Sequence, residues 1–178
     1  MSSAGQVHLY YGDGKGKTTA SVGLAVRAFG AGFNVQVVQF LKDGCSSEMA
    51  VLRDRLGISV LAEKVTHHMS FAMSEDEKSL TRECHERIWE KAMDWVGQAA
   101  GADRILILDE IIGAIEAGLF PEEKLISFLD HRPPDLEVVL TGRNPSASVM
   151  ERSDYRSQII CDGHPYNKGI PARDGIEF

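Results

Sequence analysis

The sequence predicts an α/β protein, with a mostly parallel sheet of about six strands and helices on both faces. Three observations carry this. Short, nearly continuous apolar runs alternate with longer stretches of helical periodicity. A glycine-rich loop joins the first apolar run to the first helix, and the strongest apolar run, Leu106-Ile107-Leu108, ends in a pair of acids. Unbroken apolar runs are the mark of strands covered on both faces, and regular alternation of strand and helix builds a parallel sheet. At 178 residues the chain reads as one domain, residues 1–178, long enough for a substantial core.

The elements come in order along the chain. The first strand is expected over residues 6–11, then a helix over 16–30 closed by Gly30 and Gly32. Strand 35–40 leads to helix 46–56 and strand 58–62. Helix 74–99 has the clearest pattern, with Leu80, Cys84, Ile88, Ala92, Val96 and Ala99 recurring at three- to four-residue spacing. Ser74 and Glu77 have the spacing of a capping box at its start. Strand 104–108 precedes helices 110–118 and 121–131. Pro133-Pro134 breaks the chain before strand 137–141, and helix 146–152 and strand 157–161 complete the series. Residues 41–48 and 63–73 are the longest irregular stretches and read as loops over a site. The tail from Gly163 to Phe178 is too rich in glycine and proline for a regular element; it reads as a long loop that closes over a site or joins an interface, or as a disordered end.

Composition narrows the function. Nineteen Lys and Arg against 26 Asp and Glu give a net charge of −7, a poor balance for nonspecific nucleic-acid binding, which needs many phosphate contacts from basic side chains. No apolar run approaches the ~20 residues needed to span a bilayer. Met1-Ser2-Ser3-Ala4-Gly5 has neither the charged nor the apolar part of a secretory signal, so a cytoplasmic protein is expected. Cys45, Cys84 and Cys161 are odd in number and scattered, as free reduced thiols are.

The chemistry is concentrated in Gly12-Asp13-Gly14-Lys15-Gly16-Lys17-Thr18-Thr19, placed between the first strand and the first helix. This is a P-loop. Its glycines let successive N–H groups turn inward around phosphate oxygens, and the helix N-terminus adds its dipole. Lys17 supplies a mobile positive charge and Thr18 a hydroxyl suited to Mg²⁺. Position 11, where the usual motif has its first glycine, holds Tyr. At the end of strand 104–108, Asp109 and Glu110 deliver carboxylates to the same edge of the sheet, where either can hold the metal or the pair caps the next helix. Thr141-Gly142-Arg143-Asn144 follows the next strand to that edge, with Arg143 available to phosphate or left solvated in a turn. Arg27 lies three turns along the first helix, where spacing favours the surface. His67-His68 does not make a metal pair by itself. Met69, Phe71 and Met73 alternate as core or as a ligand surface, and Trp89 and Trp95 belong to the helical packing pattern.

Taken together these pieces resemble the P-loop ATP:corrinoid adenosyltransferases, the cob(I)alamin or cob(I)yrinic acid a,c-diamide adenosyltransferases. Gly12 through Ala20 is similar to that family's G-N-G-K-G-K-T-T-A, which also lacks the first glycine. Arg27-Ala28-Phe29-Gly30-Ala31-Gly32 resembles R-A-x-G-x-G, and Val37-Val38-Gln39-Phe40-Leu41-Lys42 resembles V-V-Q-F-x-K. Leu108-Asp109-Glu110-Ile111, Leu140-Thr141-Gly142-Arg143-Asn144, His164-Pro165-Tyr166 and Gly175-Ile176-Glu177-Phe178 are similar to four further motifs in the same order.

The resemblance implies a RecA-like, three-layer P-loop fold. It implies that Co(I) of a corrinoid attacks the 5′ carbon of ATP and that triphosphate leaves. The ATP is implied to lie reversed along the loop relative to ordinary NTPases. The cradle is implied to be Gly12, Asp13, Gly14, Lys15, Gly16, Lys17, Thr18, Thr19, Arg27 and Arg143, with Mg²⁺ or Mn²⁺ on Thr18 and on Asp109 or Glu110. Lys17, Glu110 and Phe71 are the expected catalytic side chains, Phe71 against the corrinoid. The expected partners are a second copy of the chain and an electron donor that reduces cobalt, with no nucleic acid and no membrane. Gly163 stands where the family has Lys before its H-P-F, and the family's Phe-x-Trp pair is reduced to Phe71. With few residues ahead of the first strand, cover for the corrinoid falls to a partner subunit or the 63–73 loop. Apart from the resemblance, the same cradle suits a P-loop ATPase or kinase transferring the γ-phosphate, or a non-catalytic nucleotide- or corrinoid-binding homologue.

Overall fold

The computed structural model describes residues 4–63, 70–98 and 103–176. His67, His68, Met69, Ala99, Glu177 and Phe178 lie outside the described residues. Among the described residues six strands and six α-helices follow one another: β1 (Val7–Tyr11), α1 (Lys17–Gly30), β2 (Asn34–Gln39), α2 (Ser47–Asp54), β3 (Ser59–Ala62), α3 (Glu75–Gln98), β4 (Arg104–Asp109), α4 (Ile111–Glu116), α5 (Glu122–His131), β5 (Leu136–Gly142), α6 (Ala147–Glu151) and β6 (Tyr155–Gln158). The strands form one sheet in the order β3-β2-β4-β5-β1-β6. Every pairing is parallel, so the sheet is wholly and not mostly parallel.

Alternation along each strand feeds two apolar faces. Val35, Val37, Ile105, Ile107 and Val139 pack with Ala25 and Ala28 of α1 and Met49 and Leu52 of α2. Their neighbours Val7, Leu9, Val38, Leu106, Leu108, Val138 and Leu140 pack on the opposite side against α3, α4, α5 and α6. Period-two alternation with both sides apolar gives three layers, helix–sheet–helix. β4 is buried throughout, as its continuous apolar run requires. Trp89 sits in the second cluster, between Phe120 and Phe128.

The start of α3 is fixed by its capping box. The Ser74 N–H donates to Glu77 Oε2 at 2.8 Å, and the Glu77 N–H donates to Ser74 Oγ at 3.3 Å. The three cysteines are free. No helix of the described residues is long and apolar enough to cross a membrane.

Most element ends agree with the sequence reading to within two residues, and two stretches near the C-terminus differ in kind. The last strand is residues 155–158 and not 157–161. Its residues are all exposed at the sheet edge, so it carries no apolar signal. The apolar Ile159-Ile160 pair leaves the sheet: the Ile159 N–H donates to Tyr11 O at 2.7 Å, and Ile159 O accepts from the Gly14 N–H at 2.9 Å. The tail also contains one regular piece, a 3-10 turn at Pro165–Lys168, with His164 Nδ1 accepting from the Tyr166 N–H at 3.1 Å.

Because the sheet is parallel, all carboxyl ends lie on one edge. β2, β4, β5 and β1 are consecutive neighbours. The segments that leave these four strands therefore converge at one place: Gln39 to Lys42, Asp109-Glu110, Thr141 to Arg143, and the glycine loop.

Candidate active site

The glycine loop has two sides. Gly12 has φ +111°, and a Cβ there would lie 2.4 Å from Ile159 O. Its glycine is demanded by the tail crossing the loop. Gly16 has φ +118° and caps α1, and a Cβ there would meet nothing within 4 Å. That side is open. Among the described residues no side chain caps α1, and no acid lies in its first turn, an arrangement suited to an anion at the helix N-terminus.

Lys17 is buried, and its Nζ donates to Gly14 O at 2.7 Å, folding the side chain back over the loop. Burial lowers its pKa; the Glu110 carboxylate opposes this, and the Arg143 charge adds to it. Lys15 Nζ donates to Ile176 O at 2.6 Å, and Asp13 Oδ1 accepts from the Cys161 N–H at 3.2 Å. With the Gly14–Ile159 bond, these tie the tail to the loop.

The centre of the site is the Asp109 carboxylate, which is fully buried. Oδ1 accepts from Thr18 Oγ1 at 2.9 Å and from Thr141 Oγ1 at 2.8 Å. Oδ2 accepts from Gln39 Nε2 at 3.0 Å and from Lys42 Nζ at 2.7 Å. Lys42 Nζ also donates to Thr18 Oγ1 at 2.9 Å. Thr141 Oγ1 in turn accepts from the Glu110 N–H at 2.9 Å. A buried carboxylate is tolerated when its lone pairs are met by donors and one of them is a cation, and both conditions hold.

Glu110 adopts a left-handed conformation, φ 60° and ψ 18°, at the turn from β4 into α4. This aims its side chain into the cleft while Asp109 points beneath it. Burial raises the Glu110 pKa, against the opposing charges of Lys42, Lys17 and Arg143. Among the described residues Leu41 is the other non-glycine residue with positive φ, at 61°. Its N–H donates to His85 Nε2 at 3.2 Å, and His85 Nδ1 contacts Leu119 O at 3.0 Å. The imidazole is therefore neutral, protonated on Nδ1 and accepting at Nε2, and burial lowers its pKa. His85 lies edge-on to Phe40, with ring centroids 5.1 Å apart, and holds the turn that presents Lys42.

An open cleft of about 850 Å³ runs over these groups. Of the expected residues, Lys15, Gly16, Lys17, Thr18, Thr19, Glu110 and Arg143 line it. Asp109 lies below them, hydrogen-bonded to Thr18. Gly12, Asp13 and Gly14 face the tail. Arg27 is exposed in the last turn of α1, about 15 Å along the helix from Lys17 at 1.5 Å per residue, and does not line the cleft. Phe71 is 87% exposed in a 3-10 turn, Ser70–Ala72, between β3 and α3, and does not line it either. Gln39, Lys42 and Thr141 received no role from the sequence. Their signal was position: each lies at the carboxyl end of a strand beside β4, the placement that already marked Arg143.

The fold and cleft define a nucleotide-binding α/β protein of the P-loop type. A family model described as "ATP:corrinoid adenosyltransferase BtuR/CobO/CobP" matches residues 3–178, and the chain belongs to this family. It is 31% identical over 176 residues to the corrinoid adenosyltransferase of Escherichia coli K12, covering 98% of this chain and 86% of that one. It is 31% identical over 179 residues to the corrinoid adenosyltransferase CobA of Salmonella typhimurium, with the same coverage of each. A solved structure, EssC (ATPases 2 and 3) from Geobacillus thermodenitrificans, aligns with a TM-score of 0.48 and 16% identity, over 97% of this chain and 36% of that chain.

Two outcomes test this geometry. Asp109→Ala leaves Lys42, Gln39 and two hydroxyls facing a cavity, and is expected to lower the unfolding free energy by about 3 kcal/mol in urea titration; a loss near zero would show that the buried cluster does not hold the sheet edge. Because the folded state keeps His85 below its ordinary 6.5, the unfolded chain takes the proton first. Its contribution to stability is full above about pH 6.5 and is lost as pH falls toward the folded value. The thermal midpoint is expected to drop between pH 7 and pH 5 by more in the parent protein than in His85→Gln. Equal drops would remove His85 from this role.

Proposed function

We propose that this protein transfers the 5′-deoxyadenosyl group of ATP to the Co(I) of a corrinoid and releases triphosphate. The observation that carries the reading is the charge distribution of the cleft. Lys17, Lys42 and Arg143 gather at the open side of the glycine loop and the N-terminus of α1. Among the described residues lining it there is no histidine or cysteine to serve as a base or nucleophile. Co(I) in a corrinoid substrate is itself a strong nucleophile and needs no activating base. The chain's task is to hold a highly charged leaving group and to position C5′.

In this reading the glycine-loop amides, Lys15, Lys17 and Arg143 bind the triphosphate, and Thr19 lies against it. Thr18 and Asp109, with Glu110 facing the cleft, fit Mg²⁺ or Mn²⁺: they are hard oxygen donors, and a cation, the Lys42 ammonium, already bridges Thr18 Oγ1 and Asp109 Oδ2. The metal, when bound, supplies positive charge to the departing phosphate oxygens. Phe71, exposed beyond the carboxyl end of β3, offers an aromatic surface to the corrinoid. The working unit is a single nucleotide-binding domain paired in a homodimer, served by an electron donor that returns cobalt to Co(I).

Incubation with ATP, Mg²⁺ and chemically reduced cobalamin is expected to give triphosphate and a new Co–C absorbance. Lys17→Ala is expected to lower that rate at least about 100-fold, in line with loss of a preorganised cation at the leaving group. ADP and phosphate without corrinoid consumption would overturn the reading. Phe71→Ala is expected to slow adenosylation of cobalamin while leaving ATP binding, measured by calorimetry, unchanged. An unaltered rate would leave Phe71 without a part in the reaction.

A further inference from the structure

We infer that Lys42 is a built-in counter-ion that occupies the divalent-metal position until metal arrives together with nucleotide. The inference rests on the reading of Thr18 and Asp109 as metal ligands, and it concerns what this chain does before that ligation.

Lys42 Nζ lies 2.7 Å from Asp109 Oδ2 and 2.9 Å from Thr18 Oγ1. A magnesium-sized ion bonded to these oxygens at about 2.0–2.1 Å would use the same lone pairs and the same space. The ammonium and the metal cannot both be there. Asp109 is fully buried, and its other contacts are the two hydroxyls and the Gln39 amide, all uncharged. Lys42 is therefore the one cation in contact with it among its described partners. Without that cation the carboxylate would be buried without charge compensation, which is costly.

The lysine is also built to leave. Its backbone is fixed by the left-handed Leu41 turn and by the bond from Leu41 N–H to His85. Its side chain is one-third exposed and lines the cleft. A flexible four-carbon stem on a fixed base can swing the ammonium from Asp109 to a neighbouring anion.

A second observation points the same way. Among the described residues, no group of three or more His, Cys, Asp or Glu side chains is arranged to hold a metal. A cation here takes its further oxygen ligands from outside this cluster, from water and, in a P-loop cleft, from the phosphates of a nucleotide. The same phosphates give the displaced ammonium a new partner. Metal arrival, lysine release and phosphate binding are thus one exchange: the Lys42–Asp109 pair breaks, a metal–Asp109 bond forms, and a Lys42–phosphate pair forms. The total charge beside Asp109 rises only when the phosphate charge is present to balance it.

The test measures metal binding without turnover. Mn²⁺ is titrated into the full chain with no corrinoid, with and without ATP, and protein-bound Mn²⁺ is counted by equilibrium dialysis with equal ATP on both sides, so that the Mn–ATP complex free in solution cancels. The parent protein is expected to bind Mn²⁺ at least tenfold more tightly with ATP than without it. Lys42→Met and Lys42→Gln are expected to gain at least tenfold in ATP-free Mn²⁺ affinity, and adding Asp109→Asn to either is expected to abolish the gain. Circular dichroism establishes that each variant is folded, and two replacements of different polarity guard against a packing defect in one. ATP-free binding in the parent equal to that in both Lys42 variants would overturn the inference, even if ATP-dependent binding is intact. Absence of Mn²⁺ binding in the parent with ATP would instead overturn the assignment of Thr18 and Asp109 to metal.

Discussion

One buried carboxylate organises the carboxyl edge of this protein. Asp109 receives hydrogen bonds from the first turn of α1, from the end of β2, from the turn after β2 and from the end of β5. These segments are far apart in sequence and adjacent in space only because the strand order places β2, β4, β5 and β1 side by side. The net value of each hydrogen bond is modest, about 1 kcal/mol for neutral donors and more for a charged one. Their common acceptor couples them. A shift of any one strand end leaves an ion unsatisfied in a low-dielectric interior, so the edge is set as a unit. The glycine loop inherits its position from this, because Thr18 belongs both to the cluster and to the first turn of α1.

The second constraint is the tail. Ile159 and Ile160 pass so close to the loop that Gly12 and Gly14 have no room for a Cβ. Two glycines that a motif reading assigns to phosphate contact are thus explained by a chain crossing behind the loop. Gly16, with open space beside it and a left-handed φ, is the glycine that faces the cleft. Tyr11 in place of the usual first glycine fits this arrangement. It continues β1, pairing with Gly142 and Gln158, so the turn into the loop begins one residue later.

This division explains what was legible in the sequence. The strands of the two apolar layers announced themselves through alternation and continuous burial, and the start of α3 through Ser74 and Glu77. β6 did not, because a fully exposed edge strand has no face to bury, and the apolar pair beside it serves the loop and not the sheet. Within the site, the charged and glycine residues of the loop and Asp109-Glu110 were readable because their chemistry is unusual at those places. Gln39 and Thr141 were not, because a single polar residue at the end of an apolar strand has no local signature; its role appears only once the register sets Gln39 opposite Asp109. His85 was hidden for a related reason. It occupies a helical position in a strongly periodic stretch, and nothing in that stretch shows that its ring meets the Leu41 N–H.

The two left-handed residues show how the fold converts this frame into a site. Non-glycine residues avoid positive φ at a cost of about 1–3 kcal/mol, and such strain persists where the surroundings over-determine it. Glu110 and Leu41 stand just beyond the ends of the neighbouring strands β4 and β2, one on each side of the cluster. The first strain turns Glu110 toward the cleft while Asp109 stays beneath, so the adjacent acids are placed differently: one organises the strand ends, the other lines the cleft. The second turns Lys42 back over Asp109. Each is held by a hydrogen bond from its own strained backbone N–H, Glu110 to Thr141 Oγ1 and Leu41 to His85 Nε2. The strain therefore sits where charge must be aimed, and its compensation comes from residues with no part in the cleft. A rigid backbone with one mobile ammonium is the arrangement a site needs if its charge is to change hands when a polyanion binds.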